Sequence, residues 1–408
     1  MKGGLGRSFA AQKVEATLHL LEEISSIEFP HDDSTQALAE LKVILEDVLS
    51  DLETAKRLPL ETGLLRSTQL SSLEKVINAL DLAGLVANSA NIRNAFEGHG
   101  PLLDIARRLV GSDAHLVLSF QWEWVPFTYP QTSILSNYII IGLPASEASN
   151  ALVLPAVGHE LGHSLWRKEG LDSTLQANVR ERIIEKITGE FWQKFKKLHP
   201  HAKKGNIGDM VNQITWLPAF RWTIRQTEEL FCDFIGLFIF GSSYLDCMAY
   251  LLSPVFSEAR PCEYPSMQQR ARYLEEAAAH LGVSVPNQFS TQFDEEGMHT
   301  LLENEQLLLS IADKIVSDIS RDIRARAFDL CRQRLGSFGD DNHEALKTCF
   351  EHYIPGETAN NLRSILVAGW ETFKSPQFLP DEKDLFRATS LNQLIFKTME
   401  IFEIKRIP

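Results

Sequence analysis

The stretch Pro155-Ala-Val-Gly-His159-Glu160-Leu-Gly-His163-Ser-Leu-Trp166 decides how the rest of the chain is read. It reads as one helix carrying H-E-x-x-H, which places two imidazoles four positions apart on the same side. Two ring nitrogens can then meet at a single point. A zinc ion suits that point, because it favours histidine nitrogen and takes few ligands. Glu160 follows the first histidine and so stands beside the metal, where a carboxylate can accept a proton from water. The bland alternative is a pair of surface histidines on an amphipathic helix, and the flanks argue against it. Ala151-Leu-Val-Leu154, Val157, Leu161 and Leu165-Trp166 are apolar, so the helix reads as buried. Buried imidazoles need partners.

The chain of 408 residues is long enough for two or three domains. With 44% apolar and 23% charged residues, it belongs to the ordinary globular class. A net charge of −14 disfavours nucleic acid as a partner, since phosphate binding needs clustered Lys and Arg. The short runs at Lys194-Phe-Lys196-Lys197 and Lys203-Lys204 read as the solvated face of a helix end. Cys232, Cys247, Cys262, Cys331 and Cys349 form no C-x-x-C pair and are odd in number, which favours reduced thiols over disulfides or a Cys-held metal. The N-terminus lacks the apolar core of a secretory signal. The most apolar window, 230–256, is interrupted by Asp233, Asp246 and Pro254 and is too broken for a membrane span. A cytoplasmic protein with no membrane span is the expectation.

Residues 8–110 repeat apolar positions at helical spacing, as in Val14, Leu18, Leu21 and Ile24, or Leu38, Leu41, Ile44, Leu45 and Val48. Ser34 reads as a cap for the second helix and Ser71 or Ser72 for a third over 70–87, with a fourth over 101–110. His19, His31 and His99 look isolated and structural. The pattern changes at Gly111. Residues 114–125 alternate and are rich in β-branched and aromatic side chains, so they read as a strand that Pro126 and Pro130 end. A second strand is expected over 137–144, just ahead of the His159 helix, where an edge strand could hold an extended peptide. Beyond it, 173–198 reads as one amphipathic helix, with His199 and His201 in an exposed turn. A further helix runs from about 205 to 240, kinked or split at Pro218. From 289 onward the chain is again helical, and His343 and His352 read as lone structural residues. The fold class expected is α+β, predominantly α, with divisions at 1–110, 111–282 and 283–408.

H-E-x-x-H leaves a catalytic zinc one protein ligand short. No histidine follows closely, but Gln226-Thr-Glu228-Glu229-Leu-Phe-Cys-Asp233-Phe-Ile-Gly236 does. Glu229 and Asp233 are four apart and share a face. Acids embedded in so apolar a run are expensive without a compensating cation. Glu228 is a rival for the same role.

His159-Glu160-x-x-His163 followed by Glu229-x-x-x-Asp233 resembles the gluzincin class of zinc metallopeptidases, the thermolysin-like enzymes, over roughly residues 135–240. The resemblance implies a zincin-like catalytic core. It implies Zn2+ held by His159, His163 and Glu229, with Asp233 accepting a hydrogen bond from the outer nitrogen of a ligand histidine. Glu263-Tyr264-Pro265-Ser266, followed by Arg270 and Arg272, is similar to the His-Pro-Ser…Arg stretch of HtpX-type peptidases, with Tyr264 where those carry histidine. A hydrolase of this kind needs a donor for the oxyanion that develops on the scissile carbonyl. Tyr264, Arg270 and Arg272 are the candidates for that donor, with Tyr264 and Arg270 placed beside Glu160 in the catalytic set, against the alternative that Arg270 and Arg272 form a solvated helix face.

The function expected is a zinc-dependent peptidase, an endopeptidase or amide hydrolase, acting on a protein or peptide substrate with Glu160 as general base. The helical flanks offer surface for a regulatory partner. The alternative is a zinc-stabilised helical scaffold without catalysis, in which Cys232 or His199 would fill a fourth position.

Overall fold

A computed structural model describes residues 2–57, 62–90, 96–121, 126–129, 134–253, 260–293, 301–337 and 342–406. The protein is 73% helix and 5% strand. It is therefore α+β and mainly α. Two compact units are present, Met1–Arg107 with Gly111–Asn150, and Arg108–Val110 with Ala151–Pro408.

The first unit holds α1 (Lys2–Ser25), α2 (Asp32–Arg57), α3 (Thr62–Ala87) and α4 (Phe96–Leu109), then β1 (His115–Gln121), β2 (Phe127–Thr128) and β3 (Tyr138–Pro144). Ser34 and Ser72 are helix-interior residues rather than caps. Ser34 Oγ pairs with Ser89 Oγ, and Ser72 Oγ donates back to the Thr68 carbonyl one turn earlier. The leucine and valine stripes of α1, α2 and α3 pack with Val117, Tyr138 and Ile140, so one sheet face completes the helical core. The order is β1-β3-β2, with β3 parallel to β1 and antiparallel to β2. As the middle strand, β3 has its Ile141 and Gly142 backbone paired on both sides. It is not the free edge an extended peptide would need there. The stretch 122–125, expected to continue the first strand, lies outside the described residues.

The second unit holds α5 (Ala156–Lys168), α6 (Leu171–Thr188), α7 (Trp192–Leu198), α8 (Met210–Phe240), α9 (Ser242–Leu252) and α10 (Met267–Leu281). It continues with α11 (Glu303–Leu335), α12 (His343–Glu351), α13 (Leu362–Lys374) and α14 (Asp384–Arg406). The helix expected over 173–198 is two helices, divided at Gly189, where the chain leaves helical geometry at φ −96° and ψ −102°. Conversely, α8 runs unbroken through Pro218. Apolar neighbours on α5, α6, α10 and α11 hold α8 in place over its length, and tertiary packing overrides local propensity. None of the described helices is long and apolar enough to cross a membrane.

Two glycines set how closely α5 and α8 approach. A Cβ on Gly158 would stand 2.9 Å from Gly236 Cα, and one on Gly162 would stand 2.7 Å from Cys232 Cα. No other residue allows the two backbones to come this near. Because each glycine directly precedes a histidine, the same close approach brings His159 and His163 within reach of the acids of α8.

Candidate metal centre

The two helices run antiparallel, since Gly158 meets Gly236 while Gly162 meets Cys232. His159 Nδ1 donates to Asp233 Oδ1 at 2.9 Å, and His163 Nδ1 donates to Glu228 Oε1 at 2.9 Å. Each ring is thereby fixed with its Nδ1 protonated and its Nε2 lone pair turned to the other side. Both Nε2 atoms face one carboxylate, Glu229. The separations are 3.2 Å from His159 Nε2 to Glu229 Oε2 and 3.7 Å from His163 Nε2 to Glu229 Oε1. Donors about 2.0–2.1 Å from a tetrahedral zinc stand roughly 3.3 Å from one another. Glu229 stands near that spacing from each ring, while the ligand atoms that all lie within 4.8 Å of one another are those of His159, His163 and Cys232. The two imidazole planes are nearly perpendicular, at 81° with centroids 5.0 Å apart.

Asp233 is fully buried, and its carboxylate is saturated. Oδ1 also accepts from Tyr244 Oη at 2.8 Å and Arg270 Nη2 at 2.7 Å, and Oδ2 accepts from Arg270 Nε at 2.8 Å. Burial alone would raise its pKa, but the Arg270 charge and the His159 and Arg270 hydrogen bonds hold it below the usual carboxylate range. An acid so fully engaged cannot also bind a metal. Its contact to His159 is the hydrogen bond from Nδ1. Tyr244 reaches it because Gly236 leaves room, since a Cβ there would meet the tyrosine ring at 2.5 Å.

Glu228 is likewise committed, because its second oxygen accepts from Arg225 Nη1. That leaves Glu229 as the acid free to face both rings. Burial pushes Glu229 up, yet the hydrogen bond and charge of His159, with His163 and Arg270, pull it below its ordinary value. Burial likewise lowers His159, but Asp233 and Glu229 outweigh it and hold the ring at about 10. A metal-free site therefore keeps a proton that an ion would displace.

Glu160 is buried on α5 beside His159. Its charge reaches Tyr264, Arg167 and Cys232. Tyr264 is 38% exposed, and its phenol is raised first by Glu229 and then by burial, which places it at the rim of the acid cluster. Arg270 differs from the expectation. Carried on α10, whose N-terminus Ser266 caps through Gln269, it is buried and forked onto Asp233, with Nη2 only 4.0 Å from Glu229. Its Nε and Nη2 are both engaged by Asp233. Arg272 points outward to Gln268, in keeping with a solvated face.

Cys232 Sγ also comes within 4.8 Å of ligating atoms of His159 and His163. Burial, followed by the charges of Glu229, Glu228, Glu160 and Asp233, raises its thiol well above the ordinary value. Its Sγ and the Glu229 carboxylate both lie beside the two imidazoles. His199 lies elsewhere, with Nε2 bonded to Asn304. His343 is not alone, since its Nε2 faces Glu371 at 3.6 Å. Glu344, the third member of that group, is 76% exposed, too loosely held to fix an ion.

No family model matches the chain, and no curated protein or solved structure matches it either. The geometry of this cluster is the ground on which function must be argued.

Proposed function

We propose that the second unit is a zincin-like peptidase in which His159, His163 and Glu229 hold zinc and Glu160 is the general base. One observation carries the reading: two imidazole Nε2 atoms, each fixed by an acid behind it, face a single buried carboxylate at 3.2 and 3.7 Å. A bound zinc would supply Lewis acidity, polarising a carbonyl and making water a nucleophile near neutral pH. Glu160 takes a proton from the attacking water and passes it to the leaving amine. Asp233 and Glu228 keep both rings in the tautomer that points Nε2 inward. Arg270 holds Asp233 ionised within an apolar surround. Tyr264, at the rim, is the donor offered to the developing oxyanion.

The test is Glu160→Gln in zinc-loaded protein, followed by metal analysis and by hydrolysis of a mixed peptide pool. Full zinc content with turnover lowered by at least about a hundredfold is expected. Unchanged hydrolysis after chelation and reloading would remove Glu160 from the mechanism.

The nearness of Cys232 supports a second reading, a four-ligand structural zinc without catalysis. Under it, Cys232→Ser would lose zinc. Under the peptidase reading, that variant keeps its metal.

A further inference from the structure

The antiparallel register of α5 and α8 continues past the metal cluster. His159, His163 and Arg167 are spaced by four along α5, and Asp233, Glu229 and Arg225 by four along α8. The rung beyond His163 and Glu229 is therefore arginine against arginine. Arg225 Nη1 is bonded to Glu228, whose other oxygen holds His163. Arg225 is otherwise half exposed, at 51% of its side chain. Arg167 is poorly provided for. The bond it makes, Nη2 to Ser164 Oγ, is long at 3.5 Å, and its Nε is buried with no hydrogen-bond partner among the described residues. Glu228 and Glu160 attract it, while Arg225 repels it.

Two like charges facing each other on adjacent helices are unfavourable unless something anionic joins them. Glu228 serves Arg225, and among the described residues no acid is bonded to Arg167. A guanidinium presents a planar fork that matches a carboxylate.

We propose that Arg167 and Arg225 form a carboxylate-binding rung at the His163 end of the cleft. The substrate is then a peptide with a carboxylate next to the scissile bond, from an Asp or Glu side chain or from a free C-terminus. This rests on the peptidase reading above.

The experiment uses zinc-loaded full-length protein and peptide pairs that differ in one group: Glu against Gln near the centre, and a C-terminal acid against its amide. Binding is measured by fluorescence anisotropy on the Glu160→Gln protein and hydrolysis on the wild type. The carboxylate member of one pair should bind about tenfold more tightly, and the pair that shows this identifies the source of the carboxylate. Arg167→Gln should abolish the difference while leaving zinc content and the neutral peptide unchanged, and Arg167→Lys should restore part of it. Equal binding of both members of both pairs to unsubstituted Arg167 protein overturns the rung, whether or not any variant folds. Hydrolysis without preference leaves the peptidase and removes the rung. A carboxylate preference in binding, with no hydrolysis of any peptide, keeps the rung and removes the peptidase.

Discussion

Each unit of the protein contains a histidine pair beside an aspartate, and the two pairs are opposites. In the first unit, His31 and His99 stack with centroids 3.7 Å apart and planes 10° from parallel. His99 Nε2 bonds the Leu116 carbonyl, while Asp33 turns to His115 and the Leu116 amide. Burial, with the repulsion of His99, lowers His31 to about 4. In the second unit, His159 and His163 stand almost perpendicular, each with an acid on Nδ1 and another before Nε2, and His159 is raised to about 10. Parallel rings keep their in-plane lone pairs in separate parallel planes, whereas perpendicular rings can aim at one point. Residue type is therefore a poor guide to metal binding. On the proposed reading, the carboxylates that set ring tautomer and ring angle decide it.

The largest effect should separate the two pairs outright. Glu229→Ala is expected to lose nearly all bound zinc, while His31→Ala keeps wild-type stoichiometry, by elemental analysis of protein reloaded after chelation. Zinc retained in Glu229→Ala would move the third ligand elsewhere. Smaller changes should follow at the acids behind the rings. Asp233→Asn and Glu228→Gln are each expected to weaken zinc binding about 10–100-fold, the usual cost of removing a group that orients a ligand. Competition with a chelator of known affinity measures this, and wild-type affinity in both variants would dissolve the distinction drawn between the pairs.

Much of the second pair was legible in the sequence, and almost none of the first. H-E-x-x-H on one helix and Glu229 with Asp233 on another lie at helical spacing, and the resemblance implied the role of each acid. Glu228 looked like a competing ligand because sequence cannot say which oxygen meets which nitrogen. It serves instead on His163 Nδ1. The glycines were a signal passed over, since each histidine follows a glycine and that pattern marks a close helix crossing. Arg167 and Arg225 continue the same four-residue spacing but belong to no motif. His31 and His99 come from a turn and from α4, 68 positions apart, and no periodicity joins them. A helix does begin near Ser34, at Asp32, so only the cap role differs there, whereas the third helix begins at Thr62, well before Ser72.

A pH titration gives the smallest and most graded contrast. His31 and His99 are held neutral in the folded protein, while the unfolded chain takes up protons near 6.5. Stability of the first unit should thus be unaffected above that pH and decline as pH falls from 6.5 towards 4, by on the order of 2 kcal/mol. Hydrogen exchange of the α2 and β1 amides at pH 7 and pH 5 reads it, and His31→Leu should flatten the dependence. Equal protection at both pH values would mean the stacked pair is not kept neutral. The metal-free second unit has the reverse sign. His159 stabilises it below about 6.5, and that contribution is lost as pH rises through about 10.

The most direct measurement is X-ray absorption of the zinc-loaded protein. The account predicts a first shell of nitrogen and oxygen only, at about 2.0–2.1 Å, with imidazole scattering from two histidines and loss of one oxygen neighbour in Glu229→Ala. A sulfur neighbour at about 2.3 Å, abolished by Cys232→Ser, would contradict it.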